Sequence, residues 1–511
     1  MRIGIDFGTT RIVVAAADRG NYPLVNFETP DGRIHDWFPS VVAVSKSKRL
    51  YGWSALDKQG SSDWTIVRSL KRLLNGAGPS SEIEIAGERF TVQQLLTEMM
   101  QTLNRELVES STLRTTRYEK LEAVLGVPAN ANSNQRFLTQ EIARNAGFVV
   151  LGLLNEPTAA AVEFAYRHGG DRRSRLKGGL LVYDLGGGTF DVTLVEFRNS
   201  EYWIVASDGI SEFGGDDFDE ILALHALATA GRPAANEDSL SPSEWYLLFD
   251  ECREKKESLH VNSRKIAIDL DRVRKSWGEV SLGVDIFYER CRELIERSRK
   301  VSEDLMASQP GGAIDTLYLT GGGSELPPVA RVLRETFGRK VKRSSYMRSA
   351  TAIGLAIQAE GHAKVALRDQ FLKHFGVWRE ADQGENIVFD LIFRRGTPLP
   401  AKSEAPLRVS RSYRPAHNVG HFRYLECTRL DLNGQPEGEI ARWDEIRVAF
   451  DPALSTLPSL SETTVLRYLP PDAQQIEEEY TCDANGSVKV RIVDHLTGQR
   501  QEYPLGKWSK K

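Results

Sequence analysis

Cysteine is scarce in this chain: 511 residues hold four, Cys252, Cys291, Cys427 and Cys482. None of the spacings between them matches a disulfide framework, which argues against a small oxidised scaffold and points to core thiols in a reducing cytoplasm. A dominant charge is missing too. The formal net charge is −4 with 27% charged residues, so no global basic field marks nucleic acid as the main partner. No apolar run reaches the length of a membrane helix, and a strand-like start at Arg2 leaves a secretory leader unexpected. His417, His421 and Cys427 suggest zinc by type, but Gly420 intervenes and the surroundings alternate like a strand, so a solvated loop is the better reading. Met99 and Met100 fall in a helical stretch from Val92 to Leu107 and read as core filler.

Glycine, by contrast, is placed with purpose. Ile5-Asp6-Phe7-Gly8-Thr9-Thr10 and Tyr183-Asp184-Leu185-Gly186-Gly187-Gly188-Thr189-Phe190-Asp191 are one device written twice. Each follows an apolar strand and sets an aspartate, then glycine, then threonine at a turn. Glycine lets successive N–H groups converge on an anion, and threonine hydroxyls add donors. An aspartate at the strand end can hold hydrated magnesium, which dehydrates reluctantly. Three consecutive glycines cost roughly 0.5–1 kcal/mol each relative to alanine in regular structure, so they mark a close backbone approach. Two such turns imply two related lobes with a nucleoside triphosphate between them.

Residues 1 to about 360 alternate strands and helical stretches, the pattern of α/β lobes. Glu244 to Leu259 and Asp285 to Met306 read as charged amphipathic helices. Gly361 to Phe375 is a mixed apolar and basic joint. From Asn386 onward short alternating runs are punctuated by Asp483-Ala484-Asn485-Gly486 and Leu496-Thr497-Gly498, which predicts an antiparallel β domain over 376–511.

The ordered motifs resemble the heat-shock-70 (DnaK-like) chaperone family. The likeness is carried by the two turns, Val127-Pro128-Ala129 with Gln135-Arg136, Asn155-Glu156-Pro157-Thr158-Ala159-Ala160-Ala161, Gly214-Gly215-Asp216-Asp217-Phe218-Asp219 and Thr320-Gly321-Gly322-Gly323-Ser324. It implies a duplicated actin-like α/β ATPase domain followed by an antiparallel β-sandwich, without the helical lid, since the chain given ends at Lys511. It also implies ATP or ADP, Mg2+ and K+ as ligands. Lys71, Glu156, Asp184 and Thr189 resemble the catalytic group, and Asp6, Asp184 and Asp191 the cation-organising carboxylates. Gly8, Thr9, Thr10, Gly186, Gly187, Gly188, Gly214, Gly215, Lys256, Gly321, Gly322 and Gly323 resemble the nucleotide-binding set. Pro128 and Arg136 resemble a relay toward the second domain.

The bland alternatives are specific. Lys71 read by itself is a solvated helix residue whose salt bridge is worth roughly 0–1 kcal/mol, whereas a preorganised transition-state donor is worth roughly 2.7–4 kcal/mol. Glu156-Pro157 suits a helix N-terminus whatever its chemistry. Pro128 also reads as a strand end. Departures concentrate at the base: where the family sandwiches adenine between two arginines, the matching positions are Glu257 and Glu325, and Arg348 stands where an acid is usual. Lost stacking is worth roughly 1–3 kcal/mol, against roughly 0.4 kcal/mol for one added charge ~10 Å from the phosphates in water. Weaker ATP affinity or relaxed base preference is therefore expected. The joint Lys364-Val365-Ala366-Leu367-Arg368-Asp369 is short in the leucines typical of the family.

The leading reading is an ATP-dependent chaperone for unfolded or extended polypeptides, working with a J-domain co-chaperone and a nucleotide exchange factor. The alternative is a non-enzymatic nucleotide-binding adaptor. A small-molecule kinase or filament former on the same fold ranks below both, because no substrate base is evident and a filament has no need of the β domain.

Overall fold

The computed structural model describes the chain apart from residues 30, 47, 75–76, 78–80, 114, 117–118, 130, 169–178, 199–200, 233–239, 310–313, 362–365, 382–385, 402–403 and 506–511. β1 (Arg2–Phe7) turns antiparallel into β2 (Arg11–Ala16), β3 (Glu122–Val127) lies parallel to β1, and β4 (Val149–Asn155) lies parallel to β3. Parallel pairing requires crossovers. They are α1 (Val92–Glu109) before β3 and α2 (Ser133–Asn145) before β4, and α3 (Glu156–His168) then follows β4 directly. The second half repeats the plan. β5 (Gly179–Leu185) turns into β6 (Phe190–Arg198), β6 pairs with β7 (Glu201–Ile210), and after α4 (Gly215–Thr229), α5 (Pro242–Glu257) and α6 (Val284–Ala307) the chain lays β8 (Ile314–Thr320) parallel to β5. α7 (Pro327–Phe337) crosses to β9 (Val341–Arg343), parallel to β8, and α8 (Ala350–Glu360) follows.

Local chemistry explains these elements. Thr91 caps α1 by accepting from the Gln94 N–H, and Leu95, Leu96, Met99, Met100, Leu103 and Leu107 recur on its buried face, the helical period the sequence shows. α5 starts with a Ser241/Glu244 capping box and Pro242 in its first turn, and ends in Lys255 and Lys256, which suit the negative end of the helix dipole. α3 and α8 are built from small residues for a reason. A Cβ on Gly354 would lie 1.8 Å from the Ala159 carbonyl oxygen, and a Cβ on Gly4 would lie 2.3 Å from the Ala356 nitrogen. The two helices therefore cross backbone to backbone, α8 against β1, β2 and β3 of the first half and α3 against β5 and β6 of the second. This exchange ties the lobes together under the two glycine turns.

Residues 1–131 with 138–366 form one compact unit, and residues 132–137 with 367–511 another. α8 ends at Gly361 in the left-handed region with φ +77°, Ala366–Arg368 is already a short strand, and His374 starts the first long strand of the second unit. Lys364 and Val365 lie outside the described residues.

The second unit is antiparallel throughout its main strands, as the alternation predicts. β10 (His374–Ala381), β11 (Asn386–Phe393), β13 (Val419–Leu430) and β14 (Pro436–Ala449) form a sheet in the order β11-β10-β13-β14; β12 (Leu407–Tyr413), β15 (Ile476–Cys482), β16 (Val488–Asp494) and β17 (Arg500–Pro504) form another in chain order. Side chains from both sheets share one core, including Phe375, Trp443, Tyr424, Tyr480, Val490 and Ile492. Gly486 and Gly498 take φ +74° and +71° in the two turns that join β15, β16 and β17, where those hairpins are expected. His421 lies on β13, with Nε2 2.6 Å from Glu445 Oε1, rather than in a loop. All four cysteines are buried and unpaired.

Two inter-sheet ion pairs run through this unit. Arg379 on β10 grips Glu478 on β15 with two bonds, at 3.0 and 2.6 Å, and Tyr413 and Tyr480 donate to the same carboxylate. Arg411 on β12 likewise grips Asp390 on β11. Breaking a buried pair by removing one partner leaves an uncompensated charge. Glu478→Ala should cost about 3–5 kcal/mol of stability, read by calorimetry of the full chain; a loss below about 1 kcal/mol would show that the sheets do not rely on it. In the first unit, Gly354→Val should destabilise by about 3 kcal/mol or more, because overpacking here meets backbone rather than a mobile side chain. An unchanged melting temperature would refute the close crossing.

Candidate nucleotide site

The turns between β1 and β2 and between β5 and β6 open onto one cavity, lined by Gly8, Thr9 and Thr10 from the first and Gly186, Gly187 and Thr189 from the second. Their approach is tight. A Cβ on Gly187 would sit 2.9 Å from the Thr10 hydroxyl oxygen, and one on Gly188 would sit 2.7 Å from a Thr9 methyl carbon. A third turn, Gly321 to Gly323, closes beside them: Gly321 has φ +83°, and a Cβ there would strike the Leu185 carbonyl at 2.2 Å. Only glycine meets both demands.

Lys71 enters from a short helical turn, Leu70–Leu74, that follows Ser69 in the left-handed region with φ +57°. It is 5% exposed and donates to Glu156, itself 6% exposed at the head of α3. This is no solvated lysine. Asp6, Asp184 and Asp191 surround the pair. Burial would lower the Lys71 pKa, yet attraction to Glu156, Asp6 and Asp191 outweighs it and holds the ammonium above its ordinary value. The pKa values of Asp6 and Asp184 also rise, which for a carboxyl favours the neutral form. Burial, then repulsion from Glu156, raises Asp6 well above its usual range, and burial with repulsion from Glu156 and Asp191 pushes Asp184 up to about 7.

That surplus of buried carboxylates over one ammonium fits a divalent cation. No three Asp, Glu, His or Cys side chains among the described residues converge to ligate one ion directly, so the donor set suits a cation held through its waters, with Asp6 and Asp184 nearest the turns. Asp191 has a further duty: its Oδ1 accepts from the Ala129 N–H at 3.1 Å, tying the loop after β3 to the second hairpin. The expected relay residue Pro128 precedes that contact. Arg136 groups with the second unit and is half-buried; desolvation lowers its pKa, and Asp369 and Glu426 oppose the shift.

Gly214, Gly215 and Lys256, expected in the nucleotide-binding set, make contacts within the second half. The Gly215 and Asp216 N–H groups donate to the carbonyls of Gly186 and Gly187, at 2.9 and 2.8 Å, and the Gly214 N–H donates to Asp217. A Cβ on Gly214 would lie 2.5 Å from the Gly187 backbone. Gly214 and Gly215 therefore brace the second turn from below. The cause is the packing of α4 against the turn. Lys256 behaves alike, reaching Asp219 at 2.7 Å and the Gly215 carbonyl at 2.6 Å, while burial pushes Asp219 up to about 6 against that attraction.

Other cleft residues were not anticipated. Ser69 donates to Asp216 at 2.7 Å, and Arg72 reaches the Gly188 carbonyl at 3.3 Å and Asp217 at 3.5 Å, so the Lys71 turn is stitched to the opposite lobe. Their adjacency to Lys71 and Gly215 was the available signal. At the far end of the cavity Arg11, Glu257, Arg348 and Glu325 form a chain of ion pairs: Arg11 to Glu257 at 2.5 Å, Arg348 to Glu257 at 2.9 Å and Arg348 to Glu325 at 2.5 Å. Burial alone would raise Glu257, but Arg11 and Arg348 pull it down to about 2. The enclosed volume is about 120 Å3, below the roughly 300–1,000 Å3 of small-molecule sites.

A duplicated α/β unit whose paired glycine turns face each other over a buried lysine–carboxylate pair defines the actin-like class of phosphate-handling proteins. A family model described as Hsp70 protein matches residues 2–375. The chain belongs to the Hsp70 family, whose members are generally ATPases that bind ATP or ADP with Mg2+ and serve as ATP-dependent chaperones. No helix among the described residues is long and apolar enough to cross a membrane.

The raised Asp184 pKa has a sign. Between about pH 4 and pH 7 the folded chain holds a proton the unfolded chain has released, so this group's contribution is intact below the unfolded value and is lost as pH rises through about 7. Asp184→Asn should raise the melting temperature more at pH 8 than at pH 4.5. A difference flat across that range would show that carboxylate burial is not its source.

Proposed function

We propose that this chain is an ATP-hydrolysing chaperone whose first unit turns over ATP slowly to control the binding of extended polypeptide by the second. The observation that carries the reading is the buried Lys71–Glu156 pair beneath the two facing turns. Phosphoryl transfer asks the protein mainly for positioning and for positive charge on the equatorial oxygens. Lys71 supplies that charge at a point held by Glu156, while Glu156 and Thr189 accept from and orient the attacking water. Bound magnesium, held through waters by Asp6 and Asp184, would neutralise phosphate charge. Potassium at Asp191 would share the carboxylate with the Ala129 N–H.

For the second unit, support comes from a cavity of about 810 Å3 lined by β10, β11, β12 and β13, with Trp378, Ile387, Phe389, Tyr413, Phe422 and Phe450 on its walls. β11 and β12 are edge strands of their sheets among the described residues, and Ile387 is 57% exposed. An edge strand offers main-chain hydrogen bonds to an extended peptide, and an apolar pocket offers selectivity. We read this as the polypeptide site of a β-sandwich substrate domain. J-domain and exchange-factor partners, and a cytoplasmic setting, belong to the same reading. The narrow, ion-paired cleft favours one second reading, a nucleotide-stabilised adaptor.

Single-turnover hydrolysis at saturating ATP with Mg2+ and K+ separates the two. Lys71→Ala should retain ATP binding and lose about 100- to 1,000-fold in rate, the usual cost of one preorganised donor. Binding without hydrolysis in both the parent and the variant would favour the adaptor.

A further inference from the structure

We propose that a small cavity beside the first phosphate turn is a chloride site, with Arg68, Arg253 and Ser40 as its principal donors. Thr10, Ser40, Arg68, Ser69, Tyr246 and Arg253 supply its polar lining, and the rest of its wall is aromatic and aliphatic. No carboxylate or amide side chain among the described residues lines it. Thr10 and Arg253 also line the nucleotide cavity, so the two spaces share a wall. The chloride assignment itself does not require the nucleotide reading above.

Local structure brings these donors together. Arg68 ends a short strand, Thr65–Arg68, just before the left-handed Ser69 that turns the chain toward Lys71. On α5, Tyr246, Asp250 and Arg253 stand at i, i+4 and i+7, one face of the helix. Arg68 lies over the Tyr246 ring, its Cζ 5.0 Å from the centroid. Ser40 is fixed by its own N–H, which donates to the Thr10 carbonyl at 3.3 Å.

Positive charge is in surplus here. Three arginines share Asp250: Arg253 at 2.5 Å, Arg272 at 3.6 Å and Arg68 at 3.8 Å. At that distance Arg68 is beyond hydrogen-bond reach, and its side chain, 18% exposed, makes no hydrogen bond among the described residues. Burial, then repulsion from Arg253, holds the Arg68 pKa below its ordinary value against attraction from Tyr246, Asp250 and Asp216. The Ser40 hydroxyl is buried without a hydrogen-bond partner, Ser40 being 2% exposed. Tyr246 accepts from Gln59 Nε2 at 2.7 Å, which leaves its O–H to donate. A mostly buried cation and a buried hydroxyl, both short of partners, call for an acceptor that carries negative charge. The volume then selects it: about 20 Å3, the room of one water-sized sphere. Chloride fits that scale, whereas an oxyanion of three or four oxygens does not. Water fits as well, but it brings two hydrogens of its own and no charge.

Halide exchange on the full chain, without nucleotide, tests this. At constant ionic strength, replacing sodium gluconate by sodium chloride should raise the melting temperature along a saturating curve, by about 2 °C at tenfold the dissociation constant. Crystals soaked in sodium bromide should give an anomalous peak within hydrogen-bond reach of Arg68 and Ser40. Arg68→Met, which keeps an unbranched side chain against Tyr246 and drops the charge, should lose the chloride shift. Ser40→Ala should raise the chloride concentration needed for half the shift by about tenfold, the loss expected for one hydrogen bond to a charged group. Equal melting temperatures in chloride and gluconate overturn the proposal, as does a water in place of bromide at that point in the crystal. Both of those readings come from the parent chain and do not depend on a variant's folding. A chloride shift that survives intact in Arg68→Met puts the ion elsewhere and overturns the site as well.

Discussion

Two helices meet backbone to backbone where Gly354 of α8 passes the Ala159 carbonyl of α3, and the geometry of the first unit follows from that contact. α3 leaves the first half to pack on the second, and α8 returns from the second to pack on the first. Neither lobe can rotate far without opening a gap between small, buried residues, and close packing penalises such gaps. The crossing therefore brings the strand ends of β1 and β5 to face one another. Every feature of the cleft is built on that alignment, including the position of Glu156, the first residue of α3.

The consequence is electrostatic. Strand ends that each carry an aspartate, aimed at one buried space with Glu156 and Asp191, concentrate negative charge around a single ammonium. Such a cluster is unfavourable by itself, as the raised Asp6 and Asp184 pKa values express. A cation bound beside it would offset that repulsion. The opposite end of the cavity is balanced differently, by alternating arginine and glutamate that neutralise one another across the lobes. The cleft thus holds a charge deficit where phosphate chemistry would occur and a closed ion-pair chain where a base would rest.

Much of this was legible in the chain. The two turns could be read because phosphate-binding turns are local objects: spacing, glycine dihedrals and hydroxyl donors lie within ten residues. α1, α5 and α6 were legible for the same reason, through caps and a 3.6-residue period, and the hairpins at Gly486 and Gly498 through their turn residues. The commitment of the Gly214 and Gly215 amides to neighbouring backbone was not, because it depends on how closely α4 approaches the second turn. Nor was the assignment of residues 132–137 to the second unit, or the inter-sheet grip of Arg379 on Glu478.

The sequence by itself determined the duplicated α/β plan, the paired phosphate turns, the antiparallel C-terminal strands and the presence of Glu257, Glu325 and Arg348 where other charges are usual in the family. Only the tertiary structure decided that those three substitutions are one arrangement, with Arg348 lodged between the two glutamates and Arg11 closing the chain from the opposite lobe. The physical reason is range. A turn or a cap is specified by neighbours along the chain, whereas an ion pair between residues as distant as Arg11 and Glu257 exists only after helices and sheets have packed and set the distance between them.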